Sequence, residues 1–464
     1  MTTWPRWMPR PVSMASVVAA SGWCAFAAYI VVQARAGPPL LWNDSAVYRS
    51  ISTEPLASRA LWAGPRPPLV PLVLKVVGSS EAMVTTQAVV AALAWGVLAW
   101  TVGGLVPRGW RRVAAGFAVL GFAATVPVTM WNRSVLSESL SLSLLALVFA
   151  AFIAVSVRPT WPRIAATVVI CLCFAATRDA QVWTVAMLAV ATGVVTVVAR
   201  AAHRGTALRV AVLAVGLVGV VAISEWGTLA SHRTTTDTAD VLFVRVFPYP
   251  GRVAWFADHG MPEAEQIDRL AGETPTRPGG AKVVGISRRD PAFGPLERWI
   301  DTEAGSTYLL WLTTHPWYVV SEPLVRPEQA FNYAHGDLAF YAPTVDPMGS
   351  PLTSVLWPPL VELVVTSVLA LALGWLSGAW RTAPWRTLVV LTLVGGAAML
   401  VAWHGDGQEV TRHTVEGFVQ VRLGVWILFA IGLLRVPLLD PVGPAPSAGT
   451  AGVGSSGAGG PTGP

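Results

Sequence analysis

Ten runs of about 20 mostly apolar residues divide this chain, and that repetition limits its fold more than any other feature. A hydrocarbon core of about 30 Å is crossed by roughly 20 such residues in a helix, and a helix satisfies its own backbone inside lipid. The runs cover about 12–33, 83–106, 113–130, 135–157, 162–177, 181–199, 208–226, 355–379, 386–403 and 418–436. Of the 464 residues 53% are hydrophobic and 12% charged, whereas a soluble domain is about 25% charged. The expected class is therefore an all-α polytopic membrane protein, with about ten transmembrane helices and a large mixed exoplasmic loop domain. An ordinary cytosolic enzyme is excluded, as is a disordered chain outside the C-terminal tail.

The loops give the orientation. Arg108, Arg111 and Arg112 lie between the second and third runs, and Arg158 and Arg163 between the fourth and fifth. Arg200, Arg204 and Arg209 follow the sixth, and Arg381 and Arg386 follow the eighth. Every second short connection is basic and none of these contains an acid, so the positive-inside rule puts both termini in the cytoplasm of a multi-pass plasma-membrane protein. On that topology only Asp440 of the 26 acids, and only His203 of the seven histidines, is cytoplasmic. Whatever chemistry the chain performs is expected outside. The 22 Trp suit membrane–water interfaces, and only Lys75 and Lys282 are lysine, as a high-GC bacterial genome favours. A net charge of +6 comes without a basic run, so no nucleic-acid partner is expected. Cys24, Cys171 and Cys173 give neither a disulfide framework nor a zinc spacing. The first run follows Arg6 and Arg10 and is long for a signal h-region, which favours a retained anchor.

Four parts are expected. They are an N-terminal transmembrane module, 1–226, an exoplasmic loop domain, 227–354, a C-terminal module of three spans, 355–440, and a disordered cytoplasmic tail, 441–464. Within the loop domain, Pro262 to Leu270 reads as a short helix stopped at Gly272. A second amphipathic stretch, about 304–325, reads as lying along the membrane surface.

The polar groups beside the spans are the candidates for chemistry. Asp44 stands in Trp42-Asn43-Asp44-Ser45, about ten residues beyond the first span, with Tyr48 four residues on. It reads either as a general base near the membrane surface or as a turn-capping aspartate. Arg178 and Asp179 interrupt an otherwise apolar stretch from Ile164 to Arg200. Ionisable groups at such a depth usually face a cavity or a partner, and an arginine there suits a phosphate; the alternative is an ion pair closing a helical hairpin. Glu138 opens the fourth span, where the helix dipole alone would favour it. Ser134, Ser137 and Ser141 share a helical face, consistent with close helix packing. Glu409, Arg412 and His413 are spaced for one helical face, as an anion site or an ion-pair network. Arg66 and Arg49 are further cations, and His315 and His335 read as loop histidines before ligands.

At these residues the chain resembles the integral-membrane, lipid-phosphate-sugar-dependent glycosyltransferases of the GT-C superfamily. Their bacterial members include protein O-mannosyltransferases and the aminoarabinose transferases of lipid A. The resemblance is carried by Asp44 with Tyr48, by Gly64-Pro65-Arg66-Pro67-Pro68-Leu69-Val70-Pro71, by Ser137-Glu138 and by the Arg178 turn. Glu409-Val410-Thr411-Arg412-His413 is similar to a run in actinobacterial members. These features cover the first 200 residues well and the large loop poorly. Asn43-Asp44 offers one acid where many members have a pair, so metal dependence stays open, and the span count is lower than in several members.

The resemblance implies inverting transfer of a monosaccharide from a polyprenyl-phosphate donor to an exoplasmic cell-envelope acceptor. Asp44 and Glu138 would be catalytic, with Asp44 the base. Arg178, Arg66 and Arg412 would hold the donor phosphate, with Tyr48, Asp179, Glu409, His413 and His335 around the substrates. No cofactor is implied, a divalent cation being left open; the expected partners are the lipid donor, the acceptor and the bilayer. Two other readings stand beside it. A secondary transporter or lipid flippase is favoured by Glu362 inside the eighth run but lacks a visible repeat. A ligase taking a diphosphate-linked glycan would share the same exoplasmic polarity.

Overall fold

A computed structural model describes residues 13–107, 109–199, 204–231, 234–262, 267, 294–325, 351–405, 407 and 410–436. Glu409, His335, Asp440, the tail and most of 262–272 lie outside these residues. The described chain is helical; its extended pairing is a parallel bridge between Leu40 and Ser134.

In order, the helices are α1 (Met14–Ala34), α2 (Asn43–Thr53), α3 (Arg59–Trp62), α4 (Leu69–Val77), α5 (Ser80–Gly103), α6 (Trp110–Ala123) and α7 (Val126–Thr129). Next come α8 (Glu138–Val157), α9 (Trp161–Ala175), α10 (Asp179–Ala199), α11 (Arg204–Ser231), α12 (Thr234–Arg245) and α13 (Pro250–Ala257). After the undescribed stretch follow α14 (Gly294–Thr302), α15 (Ala304–Thr314), α16 (Pro316–Val325), α17 (Pro351–Leu356) and α18 (Leu360–Leu376). The last are α19 (Ala383–Gly405), α20 (Val410–His413) and α21 (Val415–Arg435).

Each of the ten apolar runs falls on helical segments, and the chain is an all-α polytopic membrane protein. Among the described residues seven helices (α1, α5, α8, α10, α11, α19 and α21) are long and apolar enough to cross a bilayer. Three runs differ from the expectation. The third is bent by 63° between α6 and α7, at Thr125, whose hydroxyl accepts from Trp357 Nε1 at 2.8 Å. The fifth, α9, has 15 residues, about 22 Å at 1.5 Å per residue. The eighth is cut by Pro358-Pro359 into α17 and α18, because proline removes a donor and restricts the residue before it. Glu362, expected well inside that run, is thereby placed in the first turn of α18, on an exposed face.

The core sits around α8 and α21. Of their apolar stretches 67% and 72% are buried, against 11% for α1 and 22% for α11, which form the periphery. Close approach allows this: a Cβ at Gly417 would stand 2.8 Å from the Met399 backbone nitrogen, so glycine lets α21 lie against α19, as small residues do between membrane helices. On the periphery Val215, Val218, Ile223 and Leu229 of α11 are exposed, as lipid contact permits. The arginine-bearing connections gather at one end of the bundle. Arg209 Nη1 donates to the Pro159 carbonyl at 3.1 Å, and Arg435 Nε to that of Leu105 at 2.9 Å.

At the opposite end α12 to α16 enclose a second, aromatic cluster around Phe247, Phe256, Trp299 and Trp311. It is fastened to α19 by His404 Nε2 against the Val319 carbonyl at 2.9 Å. The stretch expected as one surface-lying amphipathic element is two helices, α15 and α16, broken at His315.

Candidate functional site

The site is assembled by the residues just before α8. Leu40 N donates to the Arg133 carbonyl at 2.8 Å, and Val135 N to that of Leu40 at 3.0 Å. Ser45 Oγ accepts from Trp42 N at 2.9 Å and donates to the Val135 carbonyl at 2.8 Å. Gln87 Nε2 of α5 donates to the Leu136 carbonyl at 3.0 Å. Three separate elements thus fix the lead-in to Glu138 and bring α2, with Asp44 in its first turn, against it. Asp44 is not the local cap; Ser45 binds the Trp42 amide.

Arg66 is delivered by the Gly64–Pro68 turn. A Cβ at Gly64 would stand 2.2 Å from the Ala60 carbonyl oxygen, so only glycine fits. The turn ends with Leu69 N donating to the Ala176 carbonyl at 3.0 Å, beside the turn that carries Arg178.

These segments meet in one chain of ion pairs. Arg66 Nη2 lies 2.5 Å from Asp44 Oδ1. Arg412 Nη2 lies 2.8 Å from Asp44 Oδ2, and its Nε donates to Glu138 Oε1. Arg178 Nη1 is 3.4 Å from Glu138 Oε1 and 2.8 Å from Glu416 Oε1. The order is Arg66–Asp44–Arg412–Glu138–Arg178–Glu416, alternating in sign. Side-chain exposure falls along it from 40% at Arg66 through 15% at Asp44 to 5% at Arg412 and 0% at Glu138. Charges this enclosed are costly to desolvate and tolerable only when paired.

Asp44, Arg66, Glu138, Arg178 and Arg412, the five central candidates from the sequence, come together. Glu138 is fully enclosed between two arginines, so in this state it positions them and offers no surface to a substrate. Tyr48 lies on the buried face of α2, its hydroxyl pushed up from the usual phenol range by burial and then by the Glu138 and Asp44 charges. It therefore stays protonated at neutral pH. Asp179 is directed elsewhere: it accepts from Thr228 Oγ1 of α11 at 2.9 Å. The hairpin ion pair gives way to longer-range pairing, since Arg178 reaches Glu138 and Glu416. His413 is the half-buried last residue of α20, while Glu409 and His335 fall outside the described residues.

Glu416 is the member that sequence reading missed. With the last run beginning near 418, Glu416 falls into the preceding loop, whereas α21 begins at Val415. The available signal was the one Glu138 gave, a lone acid opening an apolar span. Its Oε2 is buried without a hydrogen-bond partner among the described residues, so Glu416 spends its bonding on Arg178.

His315 stacks on Trp311 with ring centroids 3.6 Å apart and Nδ1 3.0 Å from the Trp311 carbonyl. It belongs to the aromatic cluster and stands apart from the ion-pair chain. Among the described residues no group of three or more His, Cys, Asp or Glu side chains is arranged to hold a metal ion. No protein-family model matches this chain, and no curated protein matches it.

Proposed function

We propose that this chain is a glycosyltransferase of the plasma membrane, moving a monosaccharide from a polyprenyl-phosphate donor to an exoplasmic cell-envelope acceptor with inversion. Its termini are cytoplasmic, its apolar runs make about ten crossings counting the bent and short ones, and residues 227–354 form its exoplasmic domain.

The convergence of Asp44, Arg66, Arg178 and Arg412 from four distant segments supports this function. They meet at the end of the bundle opposite the arginine-bearing connections, the end that the positive-inside rule assigns to the outside. A structural ion pair needs one arginine. Two arginines on a partly exposed aspartate, with a third behind them on Glu138, match what phosphate departure from a sugar requires.

In this mechanism Asp44 takes the proton from the acceptor hydroxyl, whose oxygen attacks the anomeric carbon from the face opposite the phosphate. The sugar–oxygen bond breaks toward the phosphate, and Arg66 and Arg412 meet the charge that develops there. Stabilising leaving-group charge is usually the largest catalytic contribution. Arg178 supports Arg412 through Glu138, which acts as a positioning residue. No residue is assigned to a cation.

The test is transfer of radiolabelled sugar from synthetic polyprenyl-phosphate donors to envelope extracts, by purified wild type and Asp44→Asn. Loss of about 10²–10⁴ in rate is expected for removal of a general base. Undiminished transfer by Asp44→Asn discards the assigned base. Transfer only from diphosphate-linked glycans turns the protein into a ligase, and none from any lipid donor removes the class.

A further inference from the structure

The described members of the ion-pair chain are three arginines and three carboxylates, formally neutral, with both oxygens of Asp44 held by different arginines. That state conflicts with a base. Each oxygen already accepts from a guanidinium, so a substrate hydroxyl approaching Asp44 meets a carboxylate held in place by two arginines. A phosphate group arriving at the same place adds negative charge to an already balanced cluster, and like charges at close quarters are costly where water is scarce. One carboxylate has to give way.

Only one can. Glu138 is 0% exposed and shared by two arginines, and Glu416 is 3% exposed. Asp44 is 15% exposed, and its outer partner Arg66 is 40% exposed on a turn at the edge of the site. A phosphate also offers more acceptor oxygens to guanidinium donors than a carboxylate does. We infer that Asp44 is the exchangeable carboxylate of the chain: a lipid-phosphate anion takes its place on Arg66 and Arg412, and the aspartate is released as a base only once that anion has bound.

This inference rests on the proposed function for the identity of the anion. Its consequence is an order of events. Before the donor arrives, Asp44 is the internal stand-in for the phosphate and the site is inert. With the donor in place Arg66 and Arg412 bind the phosphate oxygens, and Asp44 turns to the acceptor hydroxyl. The proton passes to Asp44, the hydroxyl oxygen bonds to the anomeric carbon, and the electron pair of the broken bond stays on the phosphate. Removing the aspartate charge should therefore abolish transfer and strengthen anion binding.

The test is equilibrium binding of geranylgeranyl phosphate, a lipid phosphate without sugar, to the full chain in nanodiscs. Asp44→Asn and Asp44→Ser should each bind about tenfold more tightly than wild type, equivalent to about 1.4 kcal/mol. Arg66→Gln should bind more weakly. Equal or weaker binding by both Asp44 variants overturns the exchange while leaving the transferase standing. Tighter binding with no sugar transfer by wild type from any donor keeps the exchange and removes the transferase. Absence of binding by wild type and all variants overturns both.

Discussion

Among the described residues the ion-pair chain and the aromatic cluster both bury charge, as α21 also does at Arg422, and the first two are built differently. In the ion-pair chain the partners are remote: Arg66 and Asp44 are 22 positions apart, Arg178 and Glu416 238, Arg412 and Glu138 274, and Arg412 and Asp44 368. Each arginine there meets carboxylate. In the aromatic cluster Arg252 lies 3.8 Å from the centroid of the Tyr249 ring and 4.6 Å from that of Tyr318, and has one acid, Glu322, at 3.1 Å. Its histidines are local, His259 stacked on Trp255 and His315 on Trp311, each bonded to the carbonyl four residues back. Burial pushes the Tyr308 and Tyr318 hydroxyls up, so they stay neutral.

The difference separates packing from chemistry. A cation resting on π faces is stabilised modestly at partly exposed sites and asks little of the surrounding fold. A row of six alternating charges costs more to desolvate than well-packed apolar side chains. A mostly apolar bundle has no packing reason to retain six charges together, and that excess of charge is what makes the row the candidate site.

The contrast can be broken by mutation. The largest effect is expected for Arg412→Ala, which takes a partner from both Asp44 and the enclosed Glu138 and leaves each with one arginine. Loss of one partner of a buried pair costs about 3–5 kcal/mol, to be read as a lower unfolding midpoint in detergent; an unchanged midpoint would show the row to be loosely held. Gly64→Ala should cost about 1–3 kcal/mol by overpacking against the Ala60 carbonyl and should lower transfer through a displaced Arg66; an unchanged unfolding midpoint would count against the clash. A double-mutant cycle of Arg178→Gln and Glu416→Gln should give a coupling of about 0.5–3 kcal/mol, whereas additive effects would dismiss Glu416 as the positioning partner of Arg178. The smallest effect belongs to the aromatic cluster. Arg252→Ala should cost about 1 kcal/mol and leave transfer unaltered, and a collapse of activity there would erase the distinction between the two regions.

Much of the site was legible because its members break a pattern. Asp44 beside a span, Arg66 between prolines and Arg178 inside an apolar stretch are each conspicuous against apolar surroundings. Glu416 was not, because its visibility depends on where the last span is taken to begin, and element boundaries are the least certain part of a sequence reading. Asp179 was read together with Arg178 since they are adjacent, yet a helix start turns consecutive side chains about 100° apart, and the two reach different neighbours. The bend at Thr125 and the division at Pro358 reflect the same limit: hydropathy reports how apolar a run is, and the turn inside it depends on its contacts.

What the sequence by itself determined is the material of the fold: ten apolar runs, helical because lipid leaves backbone groups no other partner, and connections whose arginines alternate. These are local properties, fixed by residues within one or two turns of each other. What only the tertiary structure decided is which charge answers which. Arg412 pairs with Asp44 and Glu138 because Leu40, Ser45 and Gln87 pin the start of α8 beside α2, and because α21 lies against α19 through Gly417. An ion pair forms where the backbones of distant segments bring opposite charges within a few ångströms, and no property of either segment alone contains that distance.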